Sequence, residues 1–290
     1  MATLSLPLPR KFLIDEAIGL FRRERVSREP VRRKPVRSPE PQPVRVEGIR
    51  DEIVVKIASE ADEWEQAFEL VANNYQESGY EAETGKPYRF TPHHALPDTT
   101  VFVAKRGDRV IATFTLVADN SVLGLPLESL YADEVEALRR EGRRVGEITS
   151  LAFTDLGQRE FLQVFVTMIR LLQQYHVSQG GDTWVITVNP RHRSFYCKVL
   201  GARQLGGCKS YDAVAGAPAE AYWVDREMMK ANAPRGYETI FGQPLPAEAL
   251  AGPSLPRPFV RYFGSQSSRI DEGRLENLLR EVASGSPRAW

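Results

Sequence analysis

The sequence predicts an α/β (α+β) fold in which one parallel strand pair at the centre of a sheet is flanked by antiparallel pairs. Apolar β-branched runs alternate with amphipathic stretches of helical period from about residue 49 to 225. Residues 144–188 show the order strand, helix, strand, which favours a parallel pair. Gly107-Asp108 lies between two apolar runs and predicts a hairpin turn, whose strands are antiparallel.

Each predicted element has a local cause. β-Branched residues mark strands, apolar residues at spacings of three or four mark helices, and glycine marks helix ends. The predicted strands are 53–58, 99–106, 109–119, 144–155, 183–188, 203–212 and 219–225. The predicted helices are 60–80, 127–143, 160–181, 190–201 and 271–283. In the fourth of these helices Asn189 is the expected N-cap and Pro190 suits the first turn.

Prolines predict the domain boundaries, because eleven of the twenty fall within residues 30–43 and 234–258. Residues 1–48 are expected to form an amphipathic helix and a flexible, basic arm. A domain of mixed α/β type is expected at 49–225, and a Pro-rich extension with a terminal helix at 226–290. The N-terminal helix suits docking on this domain or on a partner, or peripheral contact with a membrane surface.

Composition narrows the class of protein. The chain has 38 basic and 38 acidic residues, so no global field favours nucleic acid. Its two cysteines make neither a metal pattern nor a disulfide framework. Asp15 and Glu16 interrupt any signal-peptide core, and no stretch approaches a membrane span. A cytoplasmic protein is expected, with membrane association through the N-terminal helix as the open alternative.

Glu147 is the first candidate for chemistry. Period-two alternation predicts that its strand places five side chains on one face: Val145, Glu147, Thr149, Leu151 and Phe153. A carboxyl among apolar side chains is costly to ionise, and its raised pKa would suit a general base. The alternative is a glutamate at a strand end, exposed or paired with Arg139 or Arg143.

Two adjacent histidines, His93 and His94, predict hydrogen bonding in a loop more than a metal site. They point in different directions in any regular element, and no cluster of cysteines or carboxylates accompanies them. We therefore expect no metal.

Four stretches in order carry a family resemblance: Asp119 with the following 123–128, the helix 131–143, the strand 146–153, and the segment 188–202 with its Asn-Pro-Arg-His and Leu-Gly-Ala. The region 98–225 resembles the N-acyl amino acid synthases, the FeeM-like branch of the GNAT acyltransferase superfamily, which is related to the acyl-homoserine lactone synthases. The resemblance implies a GNAT fold, with a mostly antiparallel sheet, helices on both faces and a central parallel pair that splays apart.

The resemblance also implies a reaction, in which a long-chain fatty acyl group passes from acyl carrier protein to the α-amine of an amino acid. Glu147 then matches the family's strand glutamate as the base. Tyr196 falls where many superfamily members place an acid, with a core aromatic as the alternative. The substrates are expected to contact six further residues: Asp119, Thr149, Ser150, Leu151, Asn189 and His192.

The donor follows from a departure from the superfamily pattern. CoA-dependent members cradle a pyrophosphate in a Gly-rich turn, whereas residues 154–162 contain only Gly157. We therefore expect no tightly bound cofactor and an acyl-phosphopantetheine on acyl carrier protein as donor, with acyl-CoA as the alternative. Four arginines within six residues are candidates for docking that acidic carrier: Arg139, Arg140, Arg143 and Arg144.

Two other functions remain open at this point. One is a CoA-dependent N-acetyltransferase of a small amine or peptide, which would bind acetyl-CoA tightly. The other is a non-catalytic, acyl-binding sensor of GNAT-like fold, which would bind ligand without turnover.

Overall fold

The computed structural model of this protein describes residues 41–284. The amphipathic segment and basic run predicted before residue 41 lie outside the described residues. Within them, one sheet contains eight strands: β1 (Val44–Arg45), β2 (Ile53–Ile57), β3 (Thr99–Arg106), β4 (Arg109–Ala118), β5 (Val145–Phe153), β6 (Thr183–Val188), β7 (Arg203–Tyr211) and β8 (Ala217–Asp225).

The helices of the same part of the chain are α1 (Ala61–Glu77), α2 (Glu128–Arg140), α3 (Gln158–Ser178), α4 (Arg193–Leu200), α5 (Arg226–Asn232), α6 (Pro234–Phe241), α7 (Arg257–Ser265) and α8 (Glu272–Ala283). None of the helices within residues 41–284 is both long enough and apolar enough to cross a membrane.

The sheet has the predicted mixed topology. Its order is β1-β2-β3-β4-β5-β6-β8-β7, and β5–β6 is its parallel pair, joined through α3. The other neighbouring pairs described are antiparallel. The predicted hairpin turn is present, with Gly107 at φ +59°, a conformation that glycine adopts at little cost. The predicted fold class is confirmed.

Helices cover both faces of the sheet. Along β3, Phe102 belongs to the core beneath α3, whereas its neighbour Val103 belongs to the core beneath α1. Helices α4, α5 and α6 complete the first core, and α7 and α8 complete the second. A third, smaller cluster joins α2 to the start of β5 and to β6. The parallel pair β5–β6 therefore lies between packed layers of helices.

The segment after residue 225 contains more helix than its prolines predict. Pro234 and Pro258 lie in the first turns of α6 and α7, where a missing N–H removes no intrahelical hydrogen bond. Met229, Ile240 and Phe263 are buried in the two main cores. This segment therefore contributes structural core as well as a Pro-rich connection.

Candidate active site

The parallel pair β5–β6 opens into a cavity. The two strands pair only at Val145–Thr183, Gly146–Trp184 and Glu147–Val185, and their remaining residues diverge. A cavity of about 70 Å³ lies in the gap. Residues 147–151 of β5 and 186–189 at the end of β6 line it on two sides. The register thus places Glu147 at the point where the strands part.

Glu147 is buried, with 2% of its surface exposed. Its Oε2 atom accepts a hydrogen bond from the backbone N–H of Leu127 at 2.8 Å. Burial raises the pKa of this carboxyl to about 8; the Leu127 N–H lowers the pKa, and the nearby charge of Glu128 raises it further. A carboxyl of this kind exchanges a proton near neutral pH, which is what a general base requires.

Neither arginine considered as a partner pairs with Glu147. Arg139 binds Asp119 and Glu128, with its Nη2 at 2.6 Å from Oδ1 of the first and Oε1 of the second. Arg143 pairs instead with Glu141 and Asp225. Asp119 is therefore engaged in an ion pair, and it is not among the residues that line the cavity. Its position beside the substrate stays a prediction.

The ion cluster of Asp119, Glu128 and Arg139 fixes the loop that holds Glu147. Glu128 Oε1 also accepts the backbone N–H of Leu125 at 2.5 Å, two residues before Leu127. The loop is thus tied at its start and at its end to one guanidinium. This arrangement positions the Leu127 N–H against the carboxyl.

Strand β5 contains a bulge at Ser150. Thr115 and Thr113 of β4 pair with Thr149 and Ala152, so two steps on β4 match three on β5. Ser150 has φ +52°, a left-handed conformation that is uncommon for a residue with a side chain. The extra residue has no ladder partner, and it lies in the cavity wall together with Thr149 and Leu151.

The bulge reverses the alternation of side chains along β5. Val145 lies in the cluster beneath α2, whereas Leu151 and Phe153 lie in the core beneath α3. The predicted single face from Val145 to Phe153 is therefore wrong beyond Thr149. No glycine at residues 149–152 marks the bulge in the sequence. The prediction therefore extended the period-two alternation of side chains past Ser150.

The end of β6 places the Asn-Pro-Arg-His motif beside the cavity. Asn189 lines the cavity, and its Oδ1 accepts the backbone N–H of Arg191 at 3.0 Å. His192 is partly exposed and lies outside the lining; its Nε2 accepts a hydrogen bond from Nε of Arg191 at 3.0 Å. Burial and the Arg191 charge lower the pKa of His192 to about 4, so the imidazole is neutral at pH 7.

Tyr196 lies in a second, smaller cavity. Its side chain is fully buried, and its hydroxyl has no hydrogen-bond partner among the described residues. The second cavity, about 10 Å³, is largely apolar. Ile148, Leu151 and Ile186 line both cavities and so lie between them. The structure does not bring Tyr196 to the cavity of Glu147, and its role as an acid stays a prediction.

The four arginines predicted to dock a carrier differ in their surroundings. Arg139 and Arg143 form the ion pairs described above, and Arg144 pairs with Asp182 at 3.2 Å. Arg140 is exposed and donates to the backbone carbonyl of Glu136, with no ion pair to a residue within 41–284. Their docking role stays a prediction.

Residues 66–225, more than half of the chain, match the family described as N-acyl amino acid synthase FeeM. The chain belongs to this family. It is therefore an acyltransferase, and the family predicted from the sequence is confirmed. No curated protein matches the chain significantly.

Solved structures agree with this assignment. FeeM, an N-acyl amino acid synthase from uncultured soil microbes, is 26% identical to this chain, with a TM-score of 0.54 over 63% of this chain and 96% of FeeM. The AHL synthase LasI has a TM-score of 0.51 at 13% identity, over 68% of this chain and 98% of LasI. The likeness to LasI shows the shared fold alone.

Part of the acyltransferase cavity comes from residues that the sequence analysis missed. They lie in the last turn of α1 and just after it, at the end of β7, in the loop that follows, and in β8: Asn74, Tyr75, Tyr80, Tyr211, Val214 and Ala219. Asn74 had a readable signal, because it continues the buried stripe of Phe68 and Val71 as a polar residue. The tyrosines had none, since aromatic residues near helix and strand ends are common.

A pair of arginines holds one wall of this cavity, and one of them, Arg269, lies outside the matched region. Arg89 and Arg269 each donate to the carbonyl oxygen of Ala213, at 3.3 and 3.2 Å, next to Val214 in the lining. Both pair with Glu81, at 2.6 Å each. Arg269 precedes α8, so the C-terminal segment fixes the loop between β7 and β8.

Glu147 should make stability depend on pH. Its folded pKa of about 8 exceeds the ordinary 4.5, so the folded state binds more protons than the unfolded state between these values. The stabilisation is complete below about pH 4.5 and is lost as the pH rises through 8. We expect the free energy of unfolding of the wild type to fall by roughly 3–5 kcal/mol relative to Glu147→Gln across this range. Urea denaturation of both proteins at pH 5 and pH 9 measures this change in the free energy of unfolding. A difference between the two proteins that is the same at both pH values would contradict the raised pKa.

Proposed function

We propose that this acyltransferase transfers a long-chain fatty acyl group from acyl carrier protein to the α-amine of an amino acid. The observation that carries the proposal is the buried carboxyl of Glu147, with its raised pKa, at the point where β5 and β6 part. Membership of this protein in the N-acyl amino acid synthase family supports the same reaction class.

Glu147 acts first, as a base. An α-ammonium group has no lone pair, so it must lose a proton before nitrogen can attack a thioester. A base is most effective when its pKa lies near the working pH. The carboxylate of Glu147 takes one proton from the ammonium, directly or through a water, and later releases it to solvent.

The attack then forms a C–N bond and places negative charge on the thioester oxygen. Backbone N–H groups near Ser150 and Leu151 are suited to stabilise this oxyanion, because a bulge leaves its extra residue without a ladder partner. Collapse of the intermediate breaks the C–S bond and expels the thiolate. The second ammonium proton ends on the sulfur, so the products are an amide and a free thiol.

The turn that precedes α3 bears on which acyl donor the protein uses. A pyrophosphate needs several backbone N–H groups in a Gly-rich turn. The turn before α3 offers Gly157 as N-cap, and the exposed Asp155 adds a negative charge beside it. These features favour a donor whose pantetheine arm is carried on a protein over free acyl-CoA.

Mass spectrometry of lipid extracts tests the reaction. Cells that express the chain should contain new long-chain N-acyl amino acids, and cells that express Glu147→Gln should not. Purified protein is then supplied with the twenty amino acids and either acyl carrier protein or CoA charged with the same chain. Faster product formation from acyl-CoA than from the acyl carrier protein would overturn the assignment of the carrier protein as donor. Products other than N-acyl amino acids would overturn the assignment of an amino acid as acceptor.

A further inference from the structure

Two side-chain hydroxyls in the cavity wall have no hydrogen-bond partner within residues 41–284, those of Tyr80 and Thr187, and the Tyr80 hydroxyl is the one at the end of a long side chain. Tyr80 is 4% exposed and lines the cavity, and its hydroxyl forms no hydrogen bond within residues 41–284. Its ring is held edge-on by Tyr75 at 5.5 Å between centroids, so the phenol has a fixed place. Buried hydroxyls normally have partners, and an exception at a binding cavity indicates a group that a ligand supplies.

A cation lies at the edge of the same cavity, because Arg191 follows two residues after Asn189, which lines the cavity together with Tyr80. Burial raises the pKa of Tyr80, and the positive charge of Arg191 acts in the opposite direction. The backbone of Arg191 is fixed by Asn189, another residue of the cavity wall. The chain therefore passes from the cavity to an exposed arginine within two residues.

The Arg191 side chain is held by a hydrogen bond but has no acidic partner within residues 41–284. Its Nε donates to the neutral imidazole of His192, which leaves the terminal nitrogens of the guanidinium for another acceptor. No carboxylate within residues 41–284 forms an ion pair with it, in contrast to Arg139, Arg143 and Arg144. An oriented cation and an unpartnered hydroxyl at the edge of one cavity are suited to bind an oxyanion.

We propose that Arg191 and Tyr80 form an oxyanion-binding site at the edge of the cavity, which holds an anionic oxygen group of a substrate. Two sources share this chemistry: the α-carboxylate of the amino-acid acceptor and the phosphate of the donor's pantetheine arm. The inference rests on the proposed function, since both groups belong to its substrates.

Kinetics of Arg191→Gln and Tyr80→Phe test the site. A charge-assisted hydrogen bond corresponds to roughly tenfold to hundredfold in affinity, so Arg191→Gln should raise one KM by about that factor, and Tyr80→Phe should raise the same KM less. Arg193→Gln is the matched control, because Arg193 is exposed and lies toward Glu220 at 4.0 Å. All three variants should melt near the wild-type temperature, since no buried atom pair is broken.

Truncated substrates identify the anionic group. If the site holds the carboxylate, the amine that lacks it should react equally slowly with wild type and Arg191→Gln. If it holds the phosphate, acyl-pantetheine without phosphate should show this equality. Arg191→Gln with both KM values equal to those of Arg193→Gln would overturn the site while leaving the proposed function intact.

Calorimetry separates failure of the site from failure of the function. Binding of 4′-phosphopantetheine, and of the amino acid found in the product screen, or a mixture of the twenty if none is found, needs no turnover. Weaker binding of either probe to Arg191→Gln than to Arg193→Gln supports the site even if no product forms. Equal binding to both variants, or none to the wild type, overturns it.

Discussion

Replacing Glu147 with glutamine should lower kcat for acyl transfer by roughly 10²–10⁴-fold, the usual effect of losing a general base. Glutamine keeps the size of the side chain and an oxygen that can accept the Leu127 N–H, so the loop should stay in place. What it loses is the ability to take a proton from the ammonium. Steady-state kinetics with the acceptor saturating measures this step.

The pH dependence of kcat/KM and a control substitution at a second buried carboxyl, Glu220, test this role of Glu147 further. The carboxylate is the active form, so the wild-type kcat/KM should rise with pH and level off above about 8. Glu220→Gln is the control, because Glu220 is also buried, on β8 of the same sheet, but accepts a hydrogen bond from Tyr222 and does not line the cavity. Equal turnover by the two variants would refute Glu147 as the base.

Phe263→Ala should destabilise the protein by roughly 3–5 kcal/mol, the usual cost of removing a buried phenylalanine and leaving a cavity. Phe263 is 1% exposed in α7 and packs against Phe68 at 4.9 Å and Tyr88 at 5.2 Å between ring centroids. Phe68 belongs to α1, whose end supplies Asn74 to the active-site cavity. We expect a melting temperature lower by roughly 6–20 °C.

Tyr262→Ala is the matched control for this substitution. Tyr262 is the neighbouring aromatic residue and is 48% exposed. Its loss should change the free energy of unfolding by about 1 kcal/mol or less. Similar melting temperatures for the two variants would show that the segment after residue 225 does not complete the second core.

Much of the fold was predictable because its central elements have strong, local patterns. The strand 183–188 and the buried helix α3 follow directly from apolar runs bounded by glycine or polar residues. Strand β1 was missed because two residues carry no period. Helices α6 and α7 were missed because their prolines were interpreted as interruptions, although a first-turn proline is compatible with a helix. Helix α5 was missed because its 7 residues are too few for a clear helical period.

The site was predictable where β5 and the end of β6 carry it. Glu147 stands out as a carboxyl within an apolar strand, and family resemblance gives it a role. Tyr80 and Val214 are far from it along the chain, and only the packing of α1 and of the loop after β7 brings them to the same cavity. The partners of an ion pair are equally hard to predict from the sequence. Sequence proximity made Arg139 a possible partner of Glu147, whereas in the fold Arg139 pairs with Asp119 and Glu128.

The contact of Arg269 with Ala213 has an evolutionary consequence. The matched family region ends at residue 225, yet Arg269 lies beyond that limit and holds the wall that contains Val214. A gene fusion that joined residues 66–225 to a foreign tail would replace this support together with the tail. Swapping tails between family members would therefore change the support of this wall and leave every residue that lines the cavity unchanged.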